Sequence, residues 1–299
     1  MIIKKLDDLF DIAKSHGVRK IAVSAAADEH VLKALKLAVE KGIVKPILVG
    51  DKTEIINISK SIGFDLSDID IKDVKDPISA SVEAVSLIRN GKADILMKGL
   101  VATGPLLKAV LNKEKGIRKE GTLSHVAFFE SPYYHKLLCV TDAAMNVAPD
   151  LMEKKAIIEN AVEAYHKLGI ERPKVAVVGA VELVNPKMEA TVDAAILAQM
   201  NKRNQIQGCD IDGPLALDNI VSKEAAEHKN IESDVAGDAD IILTPDINVG
   251  NVFYKSLNFL GGAVSAAVIM GAWVPIVLTS RSDSEQSKLM SIALAAAMK

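Results

Sequence analysis

The chain has 299 residues, of which 49% are hydrophobic and only 4% aromatic, so its core must be built from Ala, Val, Ile and Leu, as in helices stacked on a parallel sheet. A formal net charge of −3 excludes a global basic field for nucleic acid or a membrane surface, and an anionic ligand would need locally placed cations. Cys139 and Cys209 make neither a metal spacing nor a disulfide framework, the opening MIIKKLDDLF lacks the apolar core of a signal peptide, and no run reaches the roughly 18 apolar residues of a membrane span, so a cytoplasmic protein is expected.

Short apolar runs alternate with amphipathic segments along the chain. The first predicted strand, 20-KIAVSAA-26, is followed by a helix at 29–42 and a strand at 46–50. A helix at 78–91 leads to a strand at 93–98 and then to a loop in which Thr103 to Pro105 begin another helix. The stretch 125-HVAFFESPYYHKLLCVT-141 departs from this rhythm. Two apolar runs flank Ser-Pro-Tyr-Tyr-His, which predicts a hairpin. Beyond it come a helix at 150–169, a strand at 174–179, a helix at 187–202 and a strand at 239–245. A helix with Phe253, Leu257 and Leu260 on one face follows, and then a last strand at 275–280 and a helix to the C-terminus. Gly42, Gly91 and Gly169 stand where helices should end. The βαβα order predicts an α/β fold whose mostly parallel sheet carries helices on both faces. Ligands of such folds bind at the carboxyl ends of strands, beside helix amino-termini, so the junctions are where chemistry is expected.

Three junctions stand out. In 97-MKGLVATGPLLKAVLN-112, Lys98, Gly99, Thr103, Gly104 and Lys108 combine glycines, a hydroxyl, helix N–H groups and lysines, the parts of a phosphate cradle. The same stretch also suits a plain helix start, with Pro105 in the first turn and Lys108 on a solvated face. In 244-TPDINVGNVFYKSLNFLGG-262, the loop holds Asn248, Gly250 and Asn251, and Asn251 is equally suited to cap the helix. In 279-TSRSDSEQ-286, Ser282 and Glu285 have capping-box spacing, which leaves Ser280 and Arg281 ahead of the cap. Capping does not need them. With six arginines in the chain against 30 lysines, Arg281 at a strand end is the better candidate for bidentate anion binding.

Other ionisable groups point less clearly. His16, His30, His166 and His228 lie among polar residues in helical patterns, whereas His125 and His135 flank the hairpin. No HExxH, His/Cys set or Gly-x-Ser-x-Gly elbow occurs, and no GxGxxG follows a strand, so neither a bound metal nor a nicotinamide cofactor is expected.

Taken together, 97-MKGLVATGPLLKAVLN-112, 141-TDAAMNVAPD-150, 210-DIDGPLALD-218, 245-PDINVGNVFYKSLNFLGGA-263 and 279-TSRSDS-284 resemble the phosphate acetyltransferase/phosphate butyryltransferase family over nearly the whole chain, and its butyryltransferase branch more closely. The resemblance implies two α/β domains of isocitrate/isopropylmalate dehydrogenase-like architecture with the active site between them. The first would comprise 1–120 and 276–299 and the second 121–275. It implies reversible conversion of butyryl-CoA and phosphate to butyryl phosphate and CoA, by direct attack in a ternary complex. CoA would be a substrate rather than a cofactor, and the enzyme a homo-oligomer. Ser280 and Arg281 would be catalytic, and Lys98, Gly99, Thr103, Gly104, Lys108, Asn248, Gly250 and Asn251 would bind substrates. In the acetyltransferase branch an aspartate seven residues after the motif serine serves as the base for the thiol. Here that position is Ser287, so Asp283, ahead of Glu285, becomes the candidate base.

Overall fold

The computed structural model describes residues 3–279 and 284–298, and these divide into two compact α/β units. One unit comprises Asp7–Glu120 and Ala266–Lys299; the other comprises Met1–Leu6 and Gly121–Ser265. The chain leaves the first unit at 120/121 and returns to it at 265/266. Lys119 N–H donates to the Gly271 carbonyl, Trp273 N–H to the Ile117 carbonyl, and Arg118 bridges Ala272, so residues 271–273 are held by 117–119. Residues 3–6 go with the other unit, because Leu6 N–H donates to Glu130 and Leu137 N–H to the Ile3 carbonyl.

The first unit opens with α1 (Asp8–Ser15), β1 (Arg19–Ser24), α2 (Glu29–Glu40), β2 (Val44–Gly50), α3 (Lys52–Ser61), β3 (Asp70–Asp73), α4 (Pro77–Arg89), β4 (Ile95–Lys98) and α5 (Thr103–Val110). The second contains β5 (Ser124–Glu130), β6 (Leu138–Thr141), α6 (Leu151–Lys167), β7 (Lys174–Val178), α7 (Glu189–Lys202), β8 (Asp210–Leu215), α8 (Leu217–Val221), α9 (Lys223–His228), β9 (Ile241–Leu243) and α10 (Ile247–Phe259). The chain then passes along β10 (Val264–Met270) to β11 (Ile276–Val277) and α11 (Glu285–Ala297).

In the first unit the strands lie in the order β3-β2-β1-β4-β11-β10, parallel except where β10 meets β11. In the second the order is β5-β6-β9-β7-β8, parallel except for the β5–β6 hairpin. β4 and β6 are buried at every residue, as strands covered on both faces must be, and this is why they read as unbroken apolar runs. The alanine-rich α11 is buried from Lys288 to Ala297 and packs against α1 and α2; its small side chains permit that close approach. In the second unit Leu138, Ala176, Leu215, Ile220, Val235 and Ile242 form a core against which Phe253 of α10 packs. Leu260, expected on that face, lies past the end of the helix and is exposed. Gly42, Gly91 and Gly169 adopt φ of +72°, +64° and +84° at the ends of α2, α4 and α6, the left-handed conformation that a Cβ penalises.

Candidate active site

In both units the described residues of the predicted site lie at or after the carboxyl ends of parallel strands. In the first, β4 ends at Lys98. Gly99 N–H and Leu100 N–H then donate to the carbonyls of Ser24 and Ala25 at the end of β1. A Cβ on Gly99 would lie 2.3 Å from the Ala25 carbonyl oxygen, so the two loops can touch only through a glycine. Lys98 is buried, and its ammonium donates to the carbonyls of Gly99 (3.2 Å) and Val101 (3.3 Å). It therefore braces the loop that carries the cradle. α5 begins at Thr103 after Ala102, whose side chain makes no cap, so its first N–H groups are not taken up by a side-chain cap. Thr103 and Gly104 are exposed at this end, and nothing lies within 4 Å of a Cβ placed on Gly104. Lys108 stands one turn after Gly104, in the last turn of α5, and is exposed.

The strand that leads to the arginine motif runs beside this cradle. Val277 of β11 pairs with Met97 of β4 in parallel register. Ser280, Arg281 and Asp283, the expected catalytic residues, lie outside the described residues, as does Ser282. The cap of α11 is Ser284 rather than Ser282: its hydroxyl accepts the Ser287 N–H at 3.1 Å. Ser284 Oγ also lies 3.1 Å from Ser287 Oγ, so the residue at the family aspartate's position belongs to a helix cap. Glu285, the second candidate base, faces α2, with His30 at 3.4 Å and Lys33 at 3.3 Å.

In the second unit the site gathers around the amino-terminus of α10. Asp246, not Asn251, caps this helix, accepting the N–H groups of Asn248 (2.8 Å) and Val249 (3.0 Å). Asn248 is exposed, and the half-buried Asn251 donates through Nδ2 to the Ala143 carbonyl at 3.2 Å. Gly250 is buried where the helix crosses the loop after β6; a Cβ there would lie 2.1 Å from the Asp142 carbonyl oxygen and 2.8 Å from Thr244 Oγ1. Its N–H is used in the helix, donating to the Asp246 carbonyl, so Gly250 supplies close packing. Sequence reasoning did not single out Asp142, Thr244 or Asn146, which organise this end of the unit. Asp142 and Asn146 lie in 141-TDAAMNVAPD-150, the stretch that follows β6 and carries part of the family resemblance, and Thr244 directly follows β9.

Burial pushes the Cys139 thiol well above its ordinary range and that of Cys209 up to about 12, with Asp210 adding to the second shift. Neither is poised as a thiolate nucleophile. Glu182, in the loop after β7, is held down at about 2 by Lys229 and then by Asn219. Among the described residues no group of three His, Cys, Asp or Glu side chains is placed to hold a metal ion. A cavity of about 380 Å³ does exist in the second unit, lined by Lys136, Arg172, Asp238 and Asp240 among others. It lies at the amino-terminal ends of β6, β7 and β9, away from the candidate site, and its Lys136 and Arg172 are engaged in ion pairs with Asp240 and Asp210.

Each of these two α/β units carries a glycine-tight contact beside its carboxyl strand ends, next to the uncapped α5 in one and to α10 in the other, which is the place where α/β enzymes bind their ligands. The family described as phosphate acetyl/butaryl transferase matches residues 5–80 and 72–296, and the chain belongs to it. It is 48% identical over 295 residues to the phosphate butyryltransferase of Clostridium acetobutylicum, covering 99% of this chain and 98% of the relative. It is 45% identical over 291 residues to the phosphate acetyltransferase of Thermotoga maritima, covering 97% and 98%. A branched-chain phosphotransacylase from Enterococcus faecalis V583, solved by crystallography, is 35% identical and superposes with a TM-score of 0.84 over 94% of this chain and 99% of that one.

Proposed function

We propose that this chain transfers a butyryl group reversibly between CoA and inorganic phosphate. The observation that carries the reading is its 48% identity, over nearly the full length of both chains, to a phosphate butyryltransferase. The chemistry needs few parts. In one direction the CoA sulfur attacks the carbonyl carbon of butyryl phosphate, the C–S bond forms, the C–O bond to phosphate breaks, and the thiol proton passes to a base or to solvent. In the other, a phosphate oxygen attacks the thioester carbonyl and the CoA thiolate leaves. Both pass through an oxyanion that N–H groups and a guanidinium stabilise. Acyl phosphates and thioesters are already activated, so holding both substrates in line supplies most of the catalysis.

In this reading the open start of α5, with Thr103, Gly104 and Lys108, receives phosphoryl oxygens, and Lys98 fixes the loop beneath it. Asn248 and Asn251 contribute from α10, and Arg281 with Ser280 stabilises the oxyanion. Asp283 is the proposed base, since Ser287 is committed to a cap and Glu285 to His30 and Lys33. CoA acts as substrate, no further cofactor takes part, and the enzyme works as a cytoplasmic homo-oligomer. Acetyl transfer is the second reading, favoured by the 45% identity to a phosphate acetyltransferase.

The test is initial-rate kinetics of CoA release from butyryl-CoA, followed with a thiol reagent while phosphate is varied. Direct transfer gives phosphate-dependent release with intersecting double-reciprocal lines. Parallel lines with a trapped acyl-enzyme would replace the ternary complex by a covalent route, and release independent of phosphate would remove the transferase reading.

A further inference from the structure

The loop between β6 and α6 holds a carboxylate that the reaction outlined above does not use. Asp142 is buried, and its two oxygens accept four hydrogen bonds: Ala144 N–H (2.7 Å) and Met145 N–H (2.9 Å) on Oδ1, His125 N–H (3.1 Å) and Asn146 Nδ2 (2.6 Å) on Oδ2. All four donors are uncharged. A carboxylate that fills a nest of N–H groups in this way fixes the backbone around it. Asn146 extends the lock by donating also to the Leu123 carbonyl, and Thr141 Oγ1 donates to the His125 carbonyl.

The loop so fixed is the surface on which α10 starts. Thr244 Oγ1 has one proton to donate and lies nearest the Asp142 carbonyl, at 3.1 Å. Asn251 donates to the Ala143 carbonyl, and Gly250 rides directly over the Asp142 carbonyl. Backbone carbonyls at 142 and 143 thus set the height and rotation of the helix turn that bears Asn248 and Asn251. The Asp142 carboxylate sets those carbonyls.

We propose that Asp142 is a positioning residue for substrate binding at the α10 amino-terminus, acting through the 142–146 loop and Asn251. The proposal rests on the transferase reading for its kinetic consequence but not for its structural one. In Asp142→Asn the amide must turn its NH₂ toward either the 144/145 N–H pair or His125 N–H and Asn146, where donors meet donors.

The experiment takes wild type, Asp142→Asn, Thr244→Val, Asn251→Ala and the double variants with Asn251→Ala through two measurements. In kcat/KM, loss of a hydrogen-bonded charged acceptor should lower Asp142→Asn by roughly ten- to hundredfold, with a smaller loss in Thr244→Val. The double variants should fall within about threefold of their worse parent, because both changes act on one turn. In hydrogen exchange, the Asn248, Val249 and Gly250 amides should exchange at least about tenfold faster in Asp142→Asn, with β7 unchanged. Multiplicative kinetic losses, or unchanged α10 exchange in a folded Asp142→Asn variant, would overturn the proposal. If that variant fails to fold, Thr244→Val carries the test, since it breaks the contact without disturbing the buried carboxylate. A wild type inactive with every acyl-CoA would sink the transferase reading alone, and the exchange measurement would still decide the role of Asp142.

Discussion

Substituting Gly250 and Gly104 by alanine separates two uses of glycine at the candidate site. At Gly250 the added Cβ would lie 2.1 Å from a backbone oxygen of Asp142, 2.8 Å from Thr244 Oγ1 and 3.0 Å from Ala143 Cα. Two of these belong to a loop held by the buried Asp142 carboxylate, so the helix must shift. Overpacking of this kind costs about 1–3 kcal/mol. For a unit of this size each kcal/mol lowers the midpoint by roughly 2–4 °C, which predicts a fall of about 2–12 °C. Displacing the turn with Asn248 and Asn251 should lower kcat/KM as well. At Gly104 nothing lies within 4 Å of the new Cβ, so alanine should hold or raise stability, by up to about 1 kcal/mol in the helix. If a phosphoryl group approaches that backbone, Gly104→Ala will nevertheless raise KM for phosphate. The assays are calorimetric melting and steady-state kinetics on both variants. Wild-type melting and activity in Gly250→Ala would refute the packing argument; a fully active Gly104→Ala would remove α5 from the phosphate site.

Three further outcomes are expected. The Cys139→Ala, Cys209→Ala double variant should keep most of its activity while melting a few degrees lower, since both thiols are buried and unreactive; loss of turnover in a folded variant, or a trapped acyl-enzyme, would contradict direct transfer. Arg281→Gln should lower kcat/KM by roughly ten- to hundredfold at unchanged melting temperature, with Arg281→Lys recovering only part, because a point charge does not reproduce the planar fork; a fully active Gln variant would exclude the residue. Glu182 has its carboxyl lowered from 4.5 to about 2 by Lys229 and Asn219, so its contribution to stability is complete above pH 4.5 and is lost as pH falls toward 2. Melting curves across that window should show a shallower acid limb for Glu182→Gln than for wild type, and identical limbs would discount the network.

What could be read from the sequence follows burial. β4 and β6 are covered on both faces and announce themselves as apolar runs, and the Ser131–His135 turn between two such runs gave the hairpin. β3, Asp-Ile-Lys-Asp, is an edge strand with little buried surface and has no apolar signature. β8, absent from the expected strands, carries a Gly-Pro pair, and it is an edge strand, where a missing N–H is tolerated. Caps were harder still. Asp246 and Asn251 are both good capping residues, as are Ser282 and Ser284, and local propensity does not rank such neighbours. Asp142 was hidden for a different reason. A carboxylate after a strand reads as a solvated turn, and its burial becomes visible only when Asn146 and the backbone of His125, 17 residues earlier, are seen to converge on it. The positions themselves were legible: Lys98, Gly99, Asn248 and Asn251 lie at or after the carboxyl ends of parallel strands, as the βαβ order required.

The central claim is butyryl transfer to phosphate, and the most direct measurement of it is kcat/KM for phosphate-dependent CoA release from acetyl-CoA, propionyl-CoA and butyryl-CoA under one condition. Each buried methylene contributes roughly 0.8 kcal/mol, so an aliphatic acyl site should favour butyryl over acetyl by about ten- to twentyfold, with propionyl between. Equal or greater kcat/KM with acetyl-CoA would make the chain an acetyl-transferring member of its family and contradict the claim.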